Sequence, residues 1–300
     1  MTGTPATGGT AAAAPAPAPV LRLALRPPFA VAPVLAALAA HAVPGVELAD
    51  PAAARHTRSV PAPHGPAVVA VHLTAEHVDA TVHAHPADEA AVVALVRRWL
   101  DLDADPAAVA AVLGADPLLG PLVAARPGLR VLGHVDGFEA AAVTVLGQQV
   151  SLAAARTFAG RLVAAYGGPA PLGLRAFPRP AVIAAAAPEE LRAAVGITGA
   201  RARTLIALAV ACADGLDLRP GQDPAEVRRR LLALPGIGPW TADYLALRAL
   251  GDRDALPATD LVLRRALGNP PAADVVGQAE RWRPLRAYAV THLWTAQAYL

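Results

Sequence analysis

Residues 231–242 read Leu231-Leu232-Ala233-Leu234-Pro235-Gly236-Ile237-Gly238-Pro239-Trp240-Thr241-Ala242. Upstream, Asp223-Pro224 marks a helix start, an N-cap acceptor followed by proline at the first helical position. The helix it opens, predicted over 224–234, must stop at Pro235-Gly236, because proline cannot donate to the next turn. A second helix begins at Pro239 and is predicted over 240–250. The turn between them is about four residues long, the length that joins two helices in a hairpin. Glycines at Gly236 and Gly238 permit positive φ and leave backbone N–H groups unobstructed, while Ile237 is placed to tuck into the angle between the helices. N–H groups gathered at a positive helix end suit a phosphate oxygen.

Helical patterns broken by Pro or Gly occupy the chain on both sides of this hairpin. They cover residues 106–113, 137–146, 152–166, 189–195, 201–214, 261–267 and 287–299, and no strand pattern competes with them. Before residue 105 the texture differs. Leu21, Leu23 and Leu25 alternate with Arg22 and Ala24 as in a half-buried strand. A helix over 34–42 follows, then strands over 67–73 and 78–83 joined by a turn at 74–77, then a helix over 88–100. The expected fold is therefore α+β. An N-terminal antiparallel sheet-plus-helix domain (19–104) precedes a larger all-α region (105–300) holding the hairpin (224–250) and the helix 260–267. Residues 1–18 are rich in Ala and Pro and read as a disordered tail.

Composition narrows the function. All 26 basic residues are Arg. Residues 1–130 hold 8 Arg against 10 acids, residues 131–225 hold 8 against 7, and residues 226–300 hold 10 against 7, so basic charge gathers where the hairpin lies. The single cysteine, Cys212, excludes an internal disulfide, a Cys-ligated zinc and an iron–sulfur cluster, and fits a reducing cytoplasm. The nine histidines show no metal-ligand spacing; His72, His77, His83 and His85 read as surface. The uncharged stretch between Arg26 and Glu47 is interrupted by Pro27, Pro28, Pro33 and Pro44, so a short buried helix is the better reading than a membrane span.

Asp260 stands 22 residues after Gly238, in Leu256-Pro257-Ala258-Thr259-Asp260-Leu261-Val262-Leu263-Arg264-Arg265. It is an N-cap by position, and a carboxylate there is also placed to stabilise developing positive charge or to activate water. Asp243, Asp252 and Asp254 read as solvated. Trp240 and Tyr244 lie four apart and share a helix face.

The hairpin string with the following Asp resembles the helix-hairpin-helix DNA glycosylase superfamily. Within it the chain is similar to the DNA-3-methyladenine glycosylase II family. The likeness runs through Arg26-Pro27-Pro28-Phe29, Arg126-Pro127-Gly128-Leu129-Arg130, Phe138-Glu139, Val145-Leu146-Gly147-Gln148-Gln149-Val150-Ser151, the hairpin, and 279–289 to His292-Leu293-Trp294. The resemblance implies excision of alkylated purines such as 3-methyladenine and 7-methylguanine from duplex DNA by base flipping. Asp260 would be the catalytic carboxylate; Trp240, Tyr244, Trp294 and Gln148 would meet the substrate. Gln149 would be the wedge that fills the vacated stack, where the nearest family members carry Leu, a departure that leaves lesion range open. The branch that also cuts the backbone, such as endonuclease III, has a nucleophilic Lys at the position of Trp240; this chain implies no lyase step. Gly236, Ile237, Gly238, Thr241, Arg264 and Arg286 would contact DNA, with Arg265, Arg281 and Arg283 as further phosphate contacts. The family implies no required cofactor, only a monovalent cation (Na or K) on the carbonyls of Leu232, Leu234 and Ile237, and a monomer in the cytoplasm. Two alternatives stay open: a glycosylase for uracil or an oxidised base, and a non-catalytic DNA-binding hairpin protein.

Overall fold

A computed structural model describes residues 19–298; the predicted tail, 1–18, lies outside the described residues. Five strands form an antiparallel sheet in the order β1-β5-β4-β3-β2, with β1 Val20–Ala24, β2 Glu47–Asp50, β3 Arg55–Val60, β4 Ala67–Leu73 and β5 His77–His83. Leu73 pairs with Val78 across the β4–β5 turn, where the Thr74 hydroxyl donates to the His77 carbonyl and accepts from the Glu76 and His77 N–H groups. Helices α1 (Val31–His41) and α2 (Glu89–Trp99) cover the sheet, and Val34, Leu38, Val69, Val71, Val96 and Trp99 share its core.

Strands β2 and β3 have no counterpart in the pattern of the sequence, and the reason is physical. Most of their inward positions are polar, Glu47 on β2 and His56 and Arg58 on β3. His56 Nε2 lies 2.8 Å from Glu47 Oε2, and the Arg58 guanidinium donates to Glu139 at 2.5 Å, all four side chains being buried. Buried polar contacts, from strand to strand and from β3 to α5, replace the apolar alternation by which a strand is recognised.

The remainder is helical: α3 (Pro106–Leu113), α4 (Leu119–Ala125), α5 (Gly137–Gly147), α6 (Leu152–Tyr166), α7 (Pro180–Ala184), α8 (Pro188–Val195), α9 (Gly199–Ala213), α10 (Pro224–Leu232), α11 (Pro239–Arg248), α12 (Leu261–Ala266), α13 (Ala272–Ala279) and α14 (Arg286–Ala298). Helices α4, α7 and α13 are short and lack a predicted counterpart. The region is also not wholly helical, since β6 (Gly168–Pro169) and β7 (Arg175–Ala176) form a two-residue ladder closing the loop after α6. One core joins α5–α11, and a second joins α3, α4 and α12–α14. No single helix among the described residues is long and apolar enough to cross a membrane.

Candidate active site

The hairpin sets the geometry. Asp223 caps α10 by accepting from Ala225 N at 3.0 Å, and α10 ends at Leu232. In the turn, Leu234 N donates to Leu231 O and Ile237 N to Leu234 O, while the Ile237 side chain is buried in the core under the angle. The two glycines differ in role. Gly236 has φ +78°, and a Cβ there would meet Thr204 Oγ1 of α9 at 2.3 Å, so both backbone and packing require glycine. Gly238 has φ −101°, which any residue adopts, and a Cβ would meet nothing within 4 Å. Its space is open. Among the described residues the N–H groups of Gly236 and Gly238 donate to no protein acceptor.

Two of the residues expected to contact DNA are turned inward. Thr241 is 2 % exposed and accepts from Gln148 Nε2 at 3.2 Å, and the Ile237 N–H is spent within the turn. Gln148 also donates to Gly236 O at 3.1 Å and lies outside the cavity wall. It clamps the α5–α6 loop onto the hairpin, beside the cavity wall formed by Gly147 and Val150. Arg201 of α9 donates to the Gln148 carbonyl and steadies the same loop. Gln149, next in the chain, is exposed with φ +56°. A left-handed non-glycine residue at a loop tip is strained, and here the strain is held by these clamps.

Around α11, Trp240, Tyr244 and Arg248 recur every fourth residue and face one cavity of about 390 Å³. The volume is that of a small-molecule site. Trp294 of α14, Thr144 of α5, Leu129 and Val34 complete its wall, so it lies where the cores of all three parts meet. Trp240 and Tyr244 stack with centroids 5.2 Å apart at 20°, and Trp294 adjoins Tyr244 at 5.9 Å. The rings form one continuous aromatic face.

Asp260 is 7 % exposed and borders this cavity. Its Oδ1 accepts from Leu263 N at 2.7 Å, capping α12, and from Trp294 Nε1 at 2.9 Å; its Oδ2 accepts from Trp240 Nε1 at 2.8 Å. Both indoles of the aromatic face thus aim the carboxylate. Sequence spacing shows the cap, but not that the two tryptophans are its donors.

The arginines nominated for phosphate divide sharply. Arg286, 12 % exposed, is held by Asp254 through Nε at 2.8 Å and NH2 at 3.0 Å, which removes it from the expected set. Arg283 is paired with Asp254 and Glu280, Arg281 with Asp116 at 2.6 Å, and Arg264 donates to Pro270 O at 2.8 Å. Only Arg265 of the five is exposed without a protein partner among the described residues. Asp254 and Asp243, read as solvated, are ion-paired, the latter to Arg228 at 2.7 Å. The missed cavity residue is Arg248, which the i, i+4 spacing from Tyr244 could have identified.

Comparison with known proteins fits this geometry. Residues 20–136 match the AlkA N-terminal domain, and residues 142–270 match the HhH-GPD superfamily base excision DNA repair protein family. The chain is 44 % identical over 285 residues to a probable bifunctional transcriptional activator/DNA repair enzyme AlkA of Mycobacterium tuberculosis, covering 92 % of this chain and 56 % of that protein. It is 36 % identical over 211 residues to DNA-3-methyladenine glycosylase 2 of Escherichia coli, covering 69 % of this chain and 72 % of the relative. A 3-methyladenine DNA-glycosylase from Archaeoglobus fulgidus superposes with a TM-score of 0.82 at 21 % identity, covering 91 % of this chain and 97 % of that one, a likeness of fold. The chain belongs to the AlkA-type DNA-3-methyladenine glycosylase family of helix-hairpin-helix base excision repair proteins.

Proposed function

We propose that the protein is a monofunctional DNA glycosylase that hydrolyses the N-glycosidic bond of alkylated purines in duplex DNA. The observation that carries this reading is the Asp260 carboxylate at the edge of an aromatic cavity, aimed by the indole N–H groups of Trp240 and Trp294. A purine alkylated at N3 or N7 is cationic, and an aromatic face attracts a cation by roughly 0.5–2 kcal/mol. Its charge also makes it a good leaving group. As the bond to C1′ breaks, the positive charge left on the sugar meets the carboxylate, which also accepts a proton from the attacking water.

Extruding the base costs a few kcal/mol. Gln149, exposed at the tip of a loop clamped by Gln148 and Arg201, would fill the gap and bond the orphaned partner base. The N–H groups of Gly236 and Gly238 would grip one phosphate, and the exposed Arg265 would be a further phosphate contact. The carbonyls of Leu232 and Ile237 accept no hydrogen bond in the turn, which fits the monovalent cation expected of the family; Leu234 O accepts one, from Ile237. That ion would bring positive charge to the phosphate contact.

Backbone cutting by β-elimination needs an amine that forms a Schiff base at C1′, and the chain has no lysine. Arginine stays protonated and cannot substitute. Incubation with methylated duplex should release free 3-methyladenine and 7-methylguanine and leave the abasic strand intact. Borohydride should trap no adduct. Absence of base release, or a stoichiometric covalent adduct, would refute the assignment.

A further inference from the structure

Arg248 stands apart from the other arginines near the cavity. It lines the same wall as Trp240 and Tyr244, one helical turn beyond Tyr244, and its enclosed Nε donates to no protein acceptor. It forms no ion pair among the described residues, although Asp101, Asp103 and Asp252 line the cleft on its other side. Two neighbouring histidines are kept neutral beside it: burial, with Arg248 as a further cause, pushes His41 down to about 4, and burial with Arg58 and Arg248 pushes His134 down to about 3. The Arg248 guanidinium thus lines the cavity that Asp260 borders, and no carboxylate pairs with it among the described residues.

Such a group is a poor choice for holding a cationic base by charge alone. It is a good choice for bonding an oxygen. Guanidinium offers donors only, in a planar fork that can aim N–H groups at a purine carbonyl, whose two lone pairs stay available when N7 is methylated. Guanine-type lesions carry a carbonyl acceptor at position 6, whereas adenine-type lesions carry an amino donor there, which meets Arg248 donor against donor.

We infer that Arg248 is a specificity-determining residue that reads the exocyclic carbonyl of the flipped base and extends excision from adenine-type to guanine-type lesions. The inference rests on the glycosylase reading. Its test uses one substrate, duplex DNA treated with a methylating agent, from which released 7-methylguanine and 3-methyladenine are quantified in the same reaction. The wild-type protein should release both. Arg248→Gln should lower 7-methylguanine release at least about tenfold, the low end for a hydrogen bond from a charged donor, and leave 3-methyladenine release unchanged or higher, because the donor-against-donor contact is gone. Arg248→Lys should recover part of the 7-methylguanine signal, since the charge returns without the fork. Equal losses for both bases would mean that Arg248 only supports the wall, and unchanged release of both would mean that it touches neither; each overturns the inference. A wild-type protein that releases neither base overturns the glycosylase reading itself.

Discussion

Replacing Asp260 by Asn separates the charge of this side chain from its shape. The carboxylate accepts three N–H groups, Leu263 and Trp294 on Oδ1 and Trp240 on Oδ2. An amide has one acceptor oxygen and an NH2 that only donates. With the oxygen toward Leu263 and Trp294, the NH2 confronts the Trp240 indole at the 2.8 Å now spanned by a hydrogen bond. The opposite flip confronts two donors instead of one. The better orientation still strands one buried donor, at about 1–3 kcal/mol, so the variant should melt a few degrees lower. Losing the charge beside C1′ should cost about 10²–10³ in rate, the scale for one preorganised electrostatic group. Single-turnover release from methylated duplex reads the rate, a thermal melt reads the strain, and abasic-duplex affinity should hold within about fivefold, because phosphate contacts dominate it. A rate within a few-fold of wild type would reduce Asp260 to a helix cap. An unchanged melting temperature would contradict the donor geometry.

The two hairpin glycines should respond differently. Gly236→Ala should lose about 1–3 kcal/mol of stability from its left-handed φ, with the Thr204 contact adding to it, whereas Gly238→Ala should melt within about 0.5 kcal/mol of wild type yet bind abasic duplex more weakly. Thermal melts and salt-controlled titrations check both, and unchanged affinity for Gly238→Ala would take the turn out of the interface. Stability should also fall on acidification. Burial pushes His292 down to about 4, with Arg126 as a lesser cause, and pushes His41 down to about 4. Between pH 6.5 and 4 the unfolded chain therefore binds protons that the folded one refuses, and each such histidine withdraws about 1.4 kcal/mol per pH unit. Melting temperature measured over this range should drop with falling pH, and His292→Leu should flatten the curve. An equally steep curve for that variant would mean His292 is not the sensor.

The helices and their ends are set by local chemistry, which is why they are legible in the chain itself. Proline at a first turn, Asp223 and Asp260 as caps, and apolar residues every third or fourth position act within a few residues. The hairpin and the aromatic pair Trp240 and Tyr244 follow from them. Strands β2 and β3 are different, because their buried positions are ionic and become acceptable only once Arg58 meets Glu139 on α5, 81 residues away. The same holds for the arginines. Arg286 and Arg265 look alike in sequence, and only packing shows that Asp254 holds one while the other stays exposed. The cavity itself is assembled from α1, α5, α6, α11, α12 and α14, so the meeting of Trp294 with Asp260 across 34 residues, the clamp of Gln148 on the hairpin and the Arg248 guanidinium, unpaired among the described residues, belong to the tertiary structure. Long-range hydrogen bonds and burial have no local signature, and they decide which of several similar side chains does chemistry.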